Sequence, residues 1–169
     1  MNAIPFEVND ARIRHDFLNR LFPDAITGLK EETAAQWGKM TAQHMIEHLI
    51  WAFKLSTGSA KVICSTPPNL IQRTKRFLYN NNPTPRGFRN PVLNESPAPL
   101  QFNSLSRAKH VLHEELLLFF DHFQKSPDAI HVHPIFGPLG SEEWERTHFK
   151  HSYHHLLQFG LVMETGSEA

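Results

Sequence analysis

A single cysteine, Cys64, stands among the 169 residues. No disulfide can therefore form within the chain, and such sparing use suits a reducing compartment. Acidic residues are missing between Glu47 and Glu95, a stretch that carries Lys54, Lys61, Arg73, Lys75, Arg76, Arg86 and Arg89. A surplus of either charge is also missing. Seventeen Lys and Arg balance 17 Asp and Glu, which leaves no bulk attraction for a polyanion. The longest apolar run, Leu116 to Phe120, falls far short of the ~20 residues of a bilayer span. The opening Met1-Asn-Ala-Ile-Pro-Phe-Glu7 has neither a basic n-region nor an apolar core, so no signal peptide is expected. Repeats are absent, and no composition shift divides the chain. These absences predict one domain over residues 1–169, cytoplasmic, with no nucleic-acid partner and no membrane partner. A chain of this length buries roughly two-thirds of its unfolded surface.

Apolar residues at helical spacing predict four long helices. The first runs from Asp10 to Leu21 and is interrupted by Pro23. Thr41 as N-cap and Gly58 as stop bound a second over Ala42 to Thr57, with Met45, Leu49, Ala52 and Phe53 on its core face. A third spans Ser104 to Lys125, and its centre, Leu116 to Phe120, is apolar all round, which predicts deep burial. Ser141, followed by Glu142 and Glu143, opens a fourth that reaches Glu164. Residues 67–77 have room for a short helix, and residues 80–99 hold five prolines and little periodicity. The expected fold is all-α: an up-down four-helix bundle with a long, irregular, proline-rich crossover between helices two and three.

Histidine is what the chain has in quantity. Four of its twelve lie within eight residues of the last helix, at His148, His151, His154 and His155. Residues three and four apart share a helix face, so His148, His151 and His155 form one stripe with Trp144, Gln158 and Val162, while His154 lies to one side. The i, i+4 spacing of His151 and His155 lets two imidazoles of one helix reach a single metal ion. On helix two, His48 shares its face with Met45, Ala52 and Leu55 and so points toward the interior. Facing helices of a bundle commonly supply the ligands of one metal site, which makes His48, His151 and His155 the candidate ligand set. Three nitrogens leave a fourth position for water or substrate. His148 and Gln158 are partners that orient the ligands, substrate contacts or packing residues.

Other motifs compete. His44-Met-Ile-Glu47-His48 matches His-x-x-Glu-His of inverted zinc peptidases, with Glu114 or Glu115 as third ligand. That reading leaves the helix-four histidines unexplained and is set aside. His110 and His113 face away from the apolar stripe of helix three. His131 and His133 precede helix four, where His133 either lines a site mouth or stabilises a turn. Cys64 has no base nearby in sequence. The acid-free stretch is either a solvated basic surface or a positive rim for an acidic substrate.

Trp37-Gly-Lys-Met-Thr-Ala-Gln-His44-Met-Ile-Glu-His48-Leu49 resembles the tryptophan and His-Leu element of the DinB-like superfamily. His151-Ser-Tyr-His154-His155-Leu-Leu-Gln158-Phe-Gly160 is similar to its His-x-x-His-His-x-x-Gln element. Within that superfamily the chain looks most like an uncharacterised subgroup whose pattern reads here as His133-Pro134, Phe136-Gly137, Leu139, Glu143-Trp144, His151, His154-His155 and Gln158-Phe-Gly160. The resemblance implies a four-helix bundle that holds a divalent metal ion, zinc or nickel, through His48, His151 and His155. It also implies pairing as a homodimer, and in some relatives activation of low-molecular-weight thiols for transfer or isomerisation. The expected function is therefore that of a metal-dependent enzyme acting with a thiol or water on a small-molecule substrate, the thiol being an acidic one held by the basic arm. The alternative is a non-catalytic helical scaffold that binds a metal or ligand. Catalytic residues beyond the metal ligands are not assigned.

Overall fold

Asp10 starts the first helix by accepting the N–H groups of Arg12 at 2.8 Å and Ile13 at 3.3 Å through Oδ1, which satisfies donors that have no partner within the helix. The computed structural model describes residues 4–88 and 97–163. In it this helix, α1, covers residues 11–27 in three joined parts, Ala11–Asp16, Phe17–Leu21 and Phe22–Thr27. The sequence expectation ended it at Leu21. The chain instead passes Pro23 by widening Phe17–Leu21 into a π-turn, with Phe22 N–H bonded five residues back to Phe17 O. A proline in a regular helix orphans a carbonyl and its ring crowds the preceding turn, and the wider turn relieves both.

Helix α2 (Ala42–Ser56) starts as expected. Thr41 Oγ1 accepts the N–H of His44 at 3.3 Å, and the His44 ring reaches back to Thr41. It ends at Gly58, whose φ of +75° suits only glycine well. A short helix α3 (Pro68–Leu70, Ile71–Lys75, Arg76–Leu78) interrupts the crossover and anchors it through the buried Leu78. Helix α4 (Leu105–Lys125) is capped by Ser104, which accepts Arg107 N–H at 3.1 Å. Strands β1 (His131–His133) and β2 (Gly137–Leu139) form an antiparallel hairpin with His131 opposite Leu139 and His133 opposite Gly137. Helix α5 (Ser141–Gln158) follows at once. Its N-cap is Gly140 rather than Ser141, with Glu143 accepting the Gly140 N–H at 3.3 Å. Gly160 (φ +64°) ends it: Leu161 N–H bonds Leu156 O and Gly160 N–H bonds Leu157 O. Those paired bonds are the Schellman closure, so the helix stops well before Glu164, itself outside the described residues.

Contacts fix the helix directions. Gln43 on α2 reaches Phe102 O just before α4, Phe53 meets Phe119, and Gly58 approaches His131, which meets His122. Helices α2 and α4 therefore run parallel. His48 meets His151 and His155 while Ser56 meets His148, so α5 runs antiparallel to α2. Arg14 pairs with Glu145 and Phe17 packs on Phe149, which sets α1 parallel to α5.

The expected all-α, up-down four-helix bundle is thus corrected on three counts. The order of directions is up, down, down, up. The described residues hold five helices, and a two-stranded sheet accompanies them. Parallel neighbours cannot be joined by a tight turn, which is why the crossover is long and carries a helix of its own. The third predicted helix is also less buried than its composition suggested. Leu116 and Phe119 are in the core, whereas Leu117 is 55% and Leu118 51% exposed. Helix α4 lies at the edge and buries one stripe. Helix α5 is central, with Trp144, Phe149, Tyr153 and Leu156 fully enclosed. Among the described residues no helix is long and apolar enough to cross a membrane.

Candidate metal centre

Two helices bring three imidazoles together where α2 crosses α5. His48 projects from the middle of α2, and His151 and His155 stand one turn apart on α5. Their ligand-capable nitrogens all lie within 4.8 Å of one another. His151 Nε2 is 2.8 Å from His48 Nε2 and 3.1 Å from His155 Nε2. His155 is buried, while His48 and His151 are half-buried, so the cluster is closed on one side and reachable on the other.

Gln158 sets the proton on His155. Its Nε2 donates to Trp37 O at 2.9 Å, which turns its Oε1 toward His155 Nδ1 at 2.7 Å. His155 therefore donates from Nδ1 and keeps a lone pair on Nε2, the arrangement in which an oriented imidazole serves as a metal ligand. The turn that holds Gln158 has no space to spare. Gly38 has φ +83°, and a Cβ there would lie 2.9 Å from Gln158 Nε2. Gln36 N–H also bonds Gln158 O at 2.8 Å.

No placement of protons gives both Nε2 contacts a linear hydrogen bond. With His155 Nε2 an acceptor, a proton on His151 Nε2 serves His155 but turns a donor, not a lone pair, toward any proton on His48. Removing that proton leaves two lone pairs facing each other at 3.1 Å. A cation at the point of convergence takes all three lone pairs at once, so the donor set fits a metal ion. Burial also keeps the rings neutral. It lowers His48 to about 4, with the neighbouring His154 ring adding to the effect, and holds His151 and His155 well below the usual histidine range.

The other sequence candidates go elsewhere. His148 shares the stripe but lies in the core, stacked on Phe53 at 3.9 Å and donating from Nε2 to Ser56 Oγ at 2.8 Å. The Ser56 hydroxyl in turn donates to Phe53 O. His154 bonds Thr84 O at 3.2 Å from Nδ1 and meets the edge of Trp37. The peptidase reading fails on geometry: His44 is occupied at the helix cap, and Glu47 accepts Gln101 N–H, Phe102 N–H and the Gln43 amide. Val162 lies past the end of α5, and His110 pairs with Glu114 at the surface. His133 stabilises its turn, its Nδ1 accepting the N–H groups of Ile135 and Phe136. Among the described residues, Cys64 Sγ makes hydrogen-bond contacts to the carbonyls of Thr66 and Ile135.

The basic stretch does not form a single rim. Lys54 pairs with Glu115 and Lys75 with Glu143, while Arg86 lies 4.7 Å over the Trp37 ring. Arg89 and Glu95 are outside the described residues. Sequence reasoning missed two buried cations that fasten the N-terminal loop and α3 to α5. Arg146 holds Val8 O and Asn9 Oδ1, and Lys150 holds Phe77 O and Asn80 Oδ1. Charged residues on a helix read as solvated faces, and nothing in their spacing marks these two as interior. Two surface hollows lie away from the triad, one along α1 near Asp10, Arg12 and Asp16 and one between α1 and the start of α5.

Fold and site together define a helical protein with a buried group of three histidines able to hold a metal ion. The chain belongs to the DUF1569 family, described as protein of unknown function, whose model matches residues 66–161. That stretch includes His151, His155, Gln158 and the hairpin; His48 precedes it. No curated protein and no solved structure matches the chain.

Proposed function

We propose that the protein is a divalent-metal-dependent enzyme of the DinB-like kind, with zinc or nickel held by His48, His151 and His155. The observation that carries this reading is the convergence of three neutral imidazole nitrogens, one already given its tautomer by Gln158. When bound, a divalent cation supplies Lewis-acid activation of a thiol or of water for attack on a small electrophilic substrate.

The chain's own residues bind and orient. Three imidazoles leave at least one coordination position open, and the half-buried His48 and His151 mark the side from which a small molecule enters. Trp51 beside His48 and Trp37 beside His154 supply apolar walls there. Glu47 is no general base, because backbone N–H groups occupy both its oxygens. An acidic thiol as co-substrate would meet the Arg86 guanidinium, which lies over the Trp37 ring beside His154.

The test is elemental analysis of protein purified without a histidine tag, with His48→Ala, His151→Ala and His155→Ala beside wild type. About one ion per chain, lost in each variant while helical content persists, supports the site. Thiol-dependent turnover of a panel of small electrophiles by the loaded protein then supports the enzyme. Protein that takes up no ion after loading refutes both.

A further inference from the structure

A second pair of imidazoles meets at the far end of α2, about 15 Å along the helix axis from His48. His122 lies in the last turn of α4 and His131 opens β1. Their Nε2 atoms are 2.8 Å apart, and the ring centroids are 5.0 Å apart with planes tilted by 45°. Both side chains are half-buried, so the pair has an open side. Among the described residues neither ring takes part in an ion pair. The backbone holds the pair in place. Strand pairing fixes His131 opposite Leu139, and His131 O accepts the Trp144 indole N–H at 3.3 Å. Gly58 makes the approach possible: a Cβ on it would lie 2.6 Å from His131 Cε1.

We propose that His122 and His131 form a second site for a divalent transition-metal ion, bound through both Nε2 atoms with water completing its shell. Two imidazoles on adjacent positions of one ion, at metal–nitrogen distances of about 2.0–2.1 Å, hold their nitrogens roughly 3 Å apart. The observed spacing is close to that. Burial and the neighbouring His122 lower the His131 pKa, which keeps its lone pair available at neutral pH. With two nitrogen ligands and an open side, the site favours Cu²⁺ over Ni²⁺ and Zn²⁺, following the general affinity order for nitrogen donors. It is independent of the triad, sharing no residue with it.

Titrating Cu²⁺ into the full chain carrying both His48→Ala and His151→Ala, which leaves the triad a single imidazole, with electron paramagnetic resonance on the product, separates the two sites. The expected result is one bound ion with splitting from two imidazole nitrogens. Adding His122→Gln or His131→Gln should weaken binding by about tenfold or more and leave a single nitrogen. Gly58→Ala, which leaves both histidines in place but crowds His131, should also weaken it. Should the triad variant not fold, the same histidine changes are read in wild type as loss of the second of two bound ions. Unchanged Cu²⁺ uptake and spectra in both glutamine variants would show that the rings share only an N–H···N hydrogen bond and would overturn the proposal. Failure of the triad to bind metal would not touch it.

Discussion

Replacing Gln158 with leucine removes one amide that does two jobs. Its Oε1 accepts from His155 Nδ1 at 2.7 Å in a buried setting, and its Nε2 donates to Trp37 O at 2.9 Å where the contact is part-buried. Each lost hydrogen bond costs about 1 kcal/mol net, and each buried group left without a partner about 1–3 kcal/mol. With partial relaxation, the metal-free protein should lose about 2–4 kcal/mol, a drop in melting temperature of roughly 5–15 °C for a chain of this size. Metal affinity should fall by about 10–100-fold, because the tautomer and tilt of His155 are no longer fixed. Urea unfolding of the metal-free protein reads the first quantity and competition with a chromophoric chelator the second. Gln158→Glu separates them, since it keeps the acceptor for His155 and loses the donor to Trp37. It should recover most of the affinity and little of the stability. If the leucine variant matched wild type in both assays, the assigned role of Gln158 would be wrong.

Three further outcomes are expected. His133 in the folded state sits near 3, lowered by burial, and its Nδ1 must stay unprotonated to accept two backbone N–H groups. Its contribution to stability is complete above the unfolded value near 6.5 and is lost as pH falls toward 3. His148 adds in the same direction. The urea midpoint should therefore decline steadily below pH 6.5, and a flat profile from pH 7.5 to 4.5 would contradict the burial argument. His44→Ala removes half of the α2 capping box and should cost about 0.5–1 kcal/mol with metal content unchanged; loss of metal would return the peptidase motif to consideration. Lys150→Met orphans Phe77 O and should cost about 1–3 kcal/mol. Hydrogen exchange at Tyr79 and Asn80 should quicken, and unchanged protection there would mean that Lys150 does not fasten the crossover.

Much of this arrangement was legible in one sequence because it is written in local periods. Thr41 and Ser104 placed the starts of α2 and α4, and the 3.6-residue period placed His48, His151 and His155 on facing stripes. What escaped depends on partners. His148 lies on the same stripe as His151, but opposite it α2 offers Phe53 and Ser56 instead of a histidine, and a single helix's spacing cannot show what faces it. Leu117 and Leu118 looked interior because composition does not tell how many neighbours a helix has. The hairpin of three-residue strands is too short for alternation to register. The continuation of α1 past Pro23 required a π-turn that no residue announces.

The parallel pairing of α2 with α4 bears on how the protein is made. During synthesis α2 emerges early but meets neither its parallel neighbour nor its histidine partners until long afterwards, since His48 and His151 are 103 positions apart. Contacts of such separation form late, after the intervening chain has been ordered. A nascent chain that already displays His48 therefore offers an ion one nitrogen, and the full set exists only once α5 has left the ribosome and docked. An ion taken up by the triad would for that reason be acquired after synthesis, and its resistance to a chelator would report that the last helix is in place.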